Sequence, residues 1–182
     1  MKKAAATKQQ IIETAKHYIL ANHFHALTLE AVAKEAGISK GGLLYHFPSK
    51  EQLIISVAQH VFEQFDQRLN ELALADSNEY GKWARAYIQT AKEDLLTNRE
   101  LYLGIFAVSL LHKEAADHLS ELYTNSLALL KNDSLNELTL DFIRLTIDGL
   151  YYSKVLNAAP LSKQRTENIL NQLIQLTWEV RT

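Results

Sequence analysis

Residues 28–51 read TLEAVAKEAGISKGGLLYHFPSKE and contain three helix starts in quick succession. Thr28 and Ser39 each precede a short apolar pattern, and hydroxyl side chains at such positions cap helices by accepting a backbone N–H bond. Gly37 ends the first of these helices, and Pro48 ends the second. Two short helices separated by a glycine-containing turn predict a helix-turn-helix, with a longer helix beginning directly after it.

The rest of the chain shows helical periodicity on both sides of this stretch. Apolar residues recur every three or four positions, and no alternating run is long enough for a β-sheet. Capping residues stand three positions before Glu or Gln at several further points, among them Asp76 and Ser134. We therefore predict an all-α fold of about nine helices. The first helix is expected over about residues 7–22, after a solvated arm that carries Lys2 and Lys3.

Composition excludes several classes of protein. An apolar fraction of 47% excludes a disordered chain, because burial can offset the entropy of ordering. Without Cys there is no disulfide framework, thiol nucleophile or Cys-type zinc site. The longest nearly apolar stretch, residues 101–111, is too short to span a bilayer. These features predict a cytoplasmic protein without a membrane segment.

The net charge of −2 averages two unlike parts of the chain. Residues 1–53 hold seven Lys and four acidic residues and carry a net charge of +3, whereas residues 54–182 carry −5. A basic N-terminal part on an acidic remainder has the sign expected of a nucleic-acid-binding segment attached to a different domain.

The stretch quoted first closely resembles the N-terminal DNA-binding domain of tetracycline-repressor (TetR) family regulators. The shared features are the Thr that opens the second helix, the Val-Ala-x-x-Ala-Gly turn, Ser-Lys-Gly into the third helix, the His-Phe exit and Ser-Lys-Glu at the start of the fourth. The resemblance implies a helix-turn-helix DNA-binding domain over residues 1–50 and a helical effector-binding and dimerisation domain over residues 51–182.

Several residue types in this stretch suit contact with DNA. The helix starts at Thr28 and Ser39 present free N–H groups and a hydroxyl to phosphate oxygens, and Lys50 adds a full charge. Gly41 and Gly42 permit close approach to the groove because they have no side chain. The predicted DNA-binding residues are Thr28, Ser39, Lys40, Gly41, Gly42, Tyr45, His46 and Lys50. Lys2, Lys3 and Lys8 in the arm are expected either to contact phosphates or to enter the minor groove.

The sequence departs from the family pattern at two positions of the third helix. Leu44 stands where family members usually carry a Tyr that binds phosphate, so that contact either moves to Tyr45 or is lost. Gly42 replaces the more usual Thr, which leaves few side chains for base contacts. We expect Lys40 and Tyr45 to supply them, with DNA shape contributing the rest.

The last two predicted helices are apolar around much of their circumference. A helix that packs on its own core from one side does not need a second apolar side, so we expect these helices to form a homodimer. A twofold dimer would place its DNA-reading helices about 34 Å apart, or at a related spacing, and bind a double-stranded pseudo-palindromic operator.

The resemblance implies an effector site in the C-terminal domain. Aromatic side chains with a few polar groups suit an apolar or aromatic small molecule. The candidates are Trp83, Tyr87, Tyr102, Phe106, His112, Tyr123, Asp148, Tyr151 and Tyr152. Asp148 follows Arg144 by four residues, so an ordinary pair on a helix surface explains it slightly better than a ligand contact.

An enzyme is the main rival class, and the sequence does not support it. The seven His residues form no i, i+4 pair, and no phosphate-binding Gly-rich loop or nucleophile elbow is present. We therefore expect no catalytic residues, no metal and no cofactor. The predicted function is a DNA-binding transcriptional repressor that a small molecule releases. The alternative is a DNA-binding regulator that is controlled through its C-terminal domain by a protein partner.

Overall fold

The computed structural model describes residues 2–178, apart from the side chains of Lys2, Lys3 and Leu96. In that range the chain forms nine α-helices and two short 3-10 turns, Phe24–Ala26 and Leu129–Asn132, and it contains no strand. The helices are α1 (Lys2–Asn22), α2 (Leu29–Glu35), α3 (Lys40–His46), α4 (Lys50–Ala75), α5 (Lys82–Thr97), α6 (Arg99–Leu111), α7 (Lys113–Ala128), α8 (Glu137–Val155) and α9 (Lys163–Leu176). The predicted all-α fold of about nine helices is confirmed.

The chain divides into two compact units, and none of the three points at which it passes from one to the other coincides with the predicted functional division after residue 50. The first, here called the head unit, contains the chain through Phe62 together with Glu100–Leu122. The second, the body unit, contains Glu63–Arg99 and the chain from Tyr123 onward. α6 and most of α7 are therefore added to the helix-turn-helix in the head unit, because compactness follows tertiary contacts rather than order along the chain.

The head unit is built on a small core that fixes the helix-turn-helix. Ile11 and Ile19 of α1, Val32 of α2, and Leu43 of α3 are buried in it. Gly37 joins α2 to α3 with a φ of +67°, a left-handed conformation that glycine adopts without steric cost. The amide N–H groups that follow α2 bond back to its last carbonyls, which completes a Schellman-type end to the helix.

The N-terminal arm is a correction to the prediction. α1 begins at Lys2, and the backbone of the segment expected to be a solvated arm is helical. Lys8 lies within α1, with its Nζ 5.7 Å from the ring centroid of Phe47. Three consecutive alanines, residues 4–6, explain the early start, since Ala has the highest helix propensity. The predicted phosphate contacts of Lys2 and Lys3 concern side chains that lie outside the described residues.

The body unit packs α5 against α8 and α9 around a second core. Ile88 of α5, Ile143 and Ile147 of α8, and Leu173 of α9 are buried there. Contrary to the sequence prediction, α5 is not capped by Asp76. The Asp133 carboxylate instead accepts the N–H of Gly81 at 3.1 Å and that of Ala84 at 2.9 Å, so the cap comes from a residue about fifty positions later in the chain.

Candidate nucleic-acid interface and effector site

The predicted capping hydroxyls of the helix-turn-helix are all engaged by their own helices. Thr28 Oγ1 accepts the N–H of Ala31 at 3.1 Å, and Ser39 Oγ accepts the N–H of Gly42 at 3.0 Å. These bonds set the direction of α2 and α3. Each hydroxyl keeps its own proton for an outside acceptor, so capping leaves both residues free to donate to a phosphate oxygen.

The third helix presents one face to the core and the opposite face to solvent. Leu43 is fully buried, whereas Lys40, Gly41, Leu44 and Tyr45 are exposed. Tyr45 keeps 80% of its accessible surface and Leu44 keeps 37%. Since residues four apart lie next to each other on a helix, these four residues form a contiguous patch, which we call the α3 outer face.

The positive charges around this face have neighbours in the head unit. Lys40 Nζ lies 3.5 Å from Glu30 Oε2, and both side chains are exposed. Lys50 Nζ lies 4.8 Å from the ring centroid of Phe24, which holds the ammonium group near the start of α4. The predicted ligand His46 is half-buried, and its ring packs edge-on against Tyr45 with centroids 5.1 Å apart.

The two glycines of α3 differ in their surroundings. A Cβ built on Gly41 meets no atom within 4 Å. A Cβ on Gly42 would lie 3.3 Å from Ser39 Oγ, so a side chain there would crowd the hydroxyl that caps the helix. Packing within the described chain therefore gives a reason for a small residue at Gly42 and none at Gly41.

The effector candidates do not form one cluster. Tyr102, Phe106 and His112 belong to the head unit, where Tyr102 is buried and its ring centroid lies 6.2 Å from that of Phe106. His112 is exposed, with its Nε2 4.0 Å from Glu51 Oε1. The other candidates belong to the body unit, where Trp83 packs partly buried against the core and Tyr152 is exposed.

Three of the candidates do meet inside the body unit. The Tyr123 hydroxyl donates to Asp148 Oδ1 and also bonds to the buried hydroxyl of Tyr87. The Tyr87 ring in turn packs edge-on against Phe65, with centroids 5.9 Å apart. We call Phe65, Tyr87, Tyr123 and Asp148 the tyrosine–aspartate cluster; it combines three aromatic rings with a carboxylate.

Burial governs the proton equilibria of this cluster. Desolvation raises the pKa of Asp148, while the Tyr123 hydrogen bond and the charge of Arg144 oppose the rise. Burial also raises the pKa of both phenols, and the Asp148 charge adds to the effect. Both tyrosines therefore stay protonated, and Tyr123 acts as the hydrogen-bond donor toward the carboxylate.

The prediction that Asp148 forms an ordinary surface pair with Arg144 is wrong. Asp148 is half-buried and its hydrogen bond goes to Tyr123, whereas the ion pair of Arg144 on the helix surface is with Asp141, at 3.6 Å. The i, i+4 spacing gave no sign of this, because Tyr123 lies 25 residues away in α7.

Two acidic residues of the body unit, Asp94 and Asp66, were not identified from the sequence. The Tyr151 hydroxyl donates to Asp94 Oδ2 at 2.5 Å, joining α8 to α5. Burial raises the pKa of Asp66, which lies near the Ser126 hydroxyl, and Asp66 Oδ1 makes no hydrogen bond of good geometry. Isolated acids on amphipathic helices give no sequence signal for burial, since their partners lie on other helices.

One exposed apolar stripe runs along α8. Its members are spaced alternately by four and three residues, which keeps them on one side of the helix. They are Leu138, Phe142, Leu145, Gly149, Tyr152 and Leu156. The five large side chains all keep more than half of their accessible surface, and a Cβ on Gly149 would meet no atom within 4 Å.

Among the described residues, no group of three His, Cys, Asp or Glu side chains is arranged to hold a metal ion. No helix in residues 2–178 is both long and apolar enough to cross a membrane.

Comparison with known families and proteins gives matches over most of the chain. Residues 11–57 match the family described as "Bacterial regulatory proteins, tetR family", and residues 81–178 match "Tetracyclin repressor-like, C-terminal domain". The HTH-type transcriptional regulator PksA of Bacillus subtilis is 21% identical over 92% of this chain and 88% of PksA. RutR of Escherichia coli is 41% identical, over 32% of this chain and 28% of RutR.

Solved structures show the same fold at low sequence identity. A TetR-family transcriptional regulator from Rhodococcus sp. matches with a TM-score of 0.74 at 14% identity, over 96% of this chain and all of that one. The multidrug binding protein EbrR, crystallised with imidazole, matches with a TM-score of 0.63 at 22% identity, over 91% of this chain and 88% of EbrR. A second EbrR structure contains proflavin.

Proposed function

Because the chain belongs to the tetR family of bacterial regulatory proteins and is a DNA-binding transcriptional regulator, we propose that it acts as a homodimeric repressor. The dimer binds a pseudo-palindromic operator through two copies of α3. A small molecule bound in the body unit releases it.

The α8 stripe is the observation that carries the homodimer. Five large apolar side chains are exposed on one side of a helix. A partner that covers them removes apolar surface from water, which lowers the free energy of the complex. Their alternating spacing of four and three residues is that of a helix seam, and the bare surface at Gly149 lets a second helix approach closely. A second copy of α8 offers the same surface, so the stripe pairs with itself about a twofold axis.

Replacing Phe142 by Asp tests the homodimer. Phe142 is 58% exposed within one chain, so the substitution leaves the fold intact but puts a charge into the proposed seam. We expect sedimentation to show dimers for the wild type and monomers for Phe142→Asp. The matched control is Leu74→Asp, since Leu74 is 76% exposed but lies on α4. A monomeric wild type, or dimers that survive Phe142→Asp, would contradict the proposal.

Operator binding can be tested without knowing the regulated genes. Selection from random-sequence duplexes should enrich two inverted half-sites whose centres are about one helical turn apart, or a related distance. A promoter carrying the selected site should then be silenced when the protein is produced. An activated promoter would leave DNA binding intact but reverse the sign of regulation.

The tyrosine–aspartate cluster is the proposed effector site. Three aromatic rings and a half-buried carboxylate suit an aromatic small molecule that can donate a hydrogen bond. Imidazole and proflavin, with which EbrR was crystallised, are aromatic molecules of this kind and serve as probes.

The effector site is tested by the ability of each probe to release selected DNA. Asp148→Asn should weaken this response, whereas Asp141→Asn should not, because Asp141 lies exposed on the same helix. If neither probe nor a broader set of aromatic compounds releases DNA, control by a protein partner becomes the better interpretation.

A further inference from the structure

The α3 outer face has little capacity to recognise bases by hydrogen bonds. Lys40 is the one residue of α3 whose type often makes hydrogen bonds to base edges in the major groove, and α3 includes no Arg, Asn, Gln, Asp or Glu. Lys40 and Tyr45 are the polar members of the face, and Lys40 lies 3.5 Å from Glu30. Two polar side chains specify few base pairs, so we expect another kind of contact to add to sequence recognition by this helix.

Leu44 is the large apolar side chain of the α3 outer face, and it can supply such a contact. It lies one helical turn after Lys40 and about 100° around α3 from the buried Leu43, and it keeps 37% of its surface exposed. Covering an exposed leucine with an apolar group lowers the free energy of the complex, because apolar surface is removed from water. In the major groove, the 5-methyl group of thymine is the apolar group that a base pair presents.

Gly41 provides the close approach that such a contact requires. It adopts no left-handed φ, and a Cβ built on it meets nothing, so neither backbone conformation nor packing in the head unit requires glycine there. A glycine in a helix costs about 1 kcal/mol relative to alanine. Close contact with a partner of α3 would offset this cost, and the surface at Gly41 adjoins Leu44 at i+3.

We propose that Leu44 makes this protein a reader of thymine methyl groups, with Gly41 letting α3 lie close enough to the base pairs for the contact. This inference rests on the proposed operator binding and adds to it which feature of the base pairs is read. Each half-site of the operator then holds at least one thymine whose methyl group packs against Leu44.

The test replaces thymine by deoxyuridine, which removes the methyl group and keeps every hydrogen bond of the base pair. Duplexes selected by the wild-type protein are substituted one thymine position at a time, in both half-sites together. At one thymine position, the substitution should lower the affinity of the protein for the duplex about fourfold per half-site. This ratio corresponds to about 0.8 kcal/mol for one buried carbon group. For the symmetric duplex the expected loss is about 15-fold.

The Leu44→Ala variant assigns the effect to a side chain. It should bind the thymine duplex about as weakly as the wild type binds the deoxyuridine duplex, and it should no longer distinguish the two. Leu110→Ala is the matched control, because Leu110 is exposed in the same unit but lies on α6; it should retain the full difference. Thermal melting of both variants checks that the fold is intact.

Gly41→Ala is a second, independent test, in which we expect the melting temperature to rise and the affinity for DNA to fall. The added methyl group meets nothing in the chain and improves helix propensity, so the melting temperature should rise. The same methyl group should weaken binding to the selected duplex at least tenfold, because it holds α3 away from the groove. A variant that melts higher and binds equally well would contradict the close approach.

The outcomes separate this inference from the proposed function. Equal affinity for every deoxyuridine duplex, or a methyl effect that persists in Leu44→Ala, would overturn the methyl contact while operator binding stands. Failure of the wild type to enrich any sequence would instead overturn the proposed operator binding itself.

Discussion

Gly104 of α6 lies directly against the ring of Phe24 in the head unit, so closely that a Cβ on Gly104 would overlap the ring. One turn earlier on α6, Glu100 accepts the N–H of Phe24 at 3.4 Å and lies 3.6 Å from the His23 ring. The ammonium group of Lys50 lies over the Phe24 ring, 4.8 Å from its centroid. The turn after α1 thus contacts both α6 and the start of α4.

Gly104→Ala should therefore destabilise the head unit. The new methyl group has to displace a buried aromatic ring, and overpacking of this kind costs about 1–3 kcal/mol in the free energy of unfolding. Urea denaturation measures the loss. Gly41→Ala is the matched control, since it makes the same change on a helix where the methyl group has room. Equal stability of Gly104→Ala and the wild type would contradict the contact.

Lys50→Ala should weaken DNA binding on every sequence. A lysine that neutralises one phosphate releases about one counterion, so losing it from both protomers should lower the slope of log affinity against log salt by about two. Fluorescence anisotropy over a salt series measures that slope. Lys131→Ala removes an exposed charge from the body unit and should leave the slope unchanged. Unchanged affinity of Lys50→Ala at low salt would exclude a phosphate contact.

The helix-turn-helix could be predicted because its signals are local. Thr28 and Ser39 accept N–H groups three residues ahead, and Gly37 adopts its left-handed φ next to the helix it ends. The start of α5 could not be predicted in the same way. Its cap is Asp133, and a bond between residues about fifty positions apart leaves no pattern at the helix start.

The effector candidates illustrate the same limit. Sequence reasoning selected aromatic and acidic residues of the right types, among them Tyr87, Tyr123 and Asp148, which meet in the body unit. It could not assign Tyr102 and Phe106 to the head unit, because that assignment depends on how α6 packs. Residue type predicts what a side chain can do, whereas its neighbours follow from tertiary contacts.

Arg85 and Arg68 offer a comparison between a buried and an exposed guanidinium in the body unit. The Arg85 side chain is 9% exposed and bonds to Asp76 Oδ2 at 2.7 Å, with further bonds to the carbonyl oxygens of Asn78 and Tyr80. Its guanidinium also lies 3.9 Å from the ring centroid of Trp178. Arg68 is 44% exposed and bonds to Glu93 at 2.9 Å.

We expect Arg85→Met to lower the free energy of unfolding by about 3–5 kcal/mol, because it leaves a carboxylate and two carbonyl oxygens without their donor. Arg68→Ala should cost much less than Arg85→Met, since water replaces the donor at an exposed site. Urea denaturation of both variants at one protein concentration gives the comparison. Similar losses for the two variants would show that burial does not set the contribution of Arg85.

Asp148→Asn should change how stability depends on pH. Burial raises the pKa of Asp148 above its ordinary value, so the folded state binds more protons than the unfolded state between those two values. The free energy of unfolding of the wild type therefore falls as pH rises through the raised pKa. Asn does not titrate, so Asp148→Asn should gain stability relative to the wild type across that window and hold the gain above it.

Tyr123→Phe tests whether the raised pKa of Asp148 causes this pH dependence of stability. The Tyr123 hydrogen bond lowers the pKa of Asp148, so removing the hydroxyl should raise that pKa further and extend the pH-dependent window upward. Urea denaturation at a series of pH values above 4, at fixed protein concentration, measures both variants against the wild type. A stability difference between Asp148→Asn and the wild type that stays constant with pH would mean that the Asp148 pKa is the same in the folded and unfolded states.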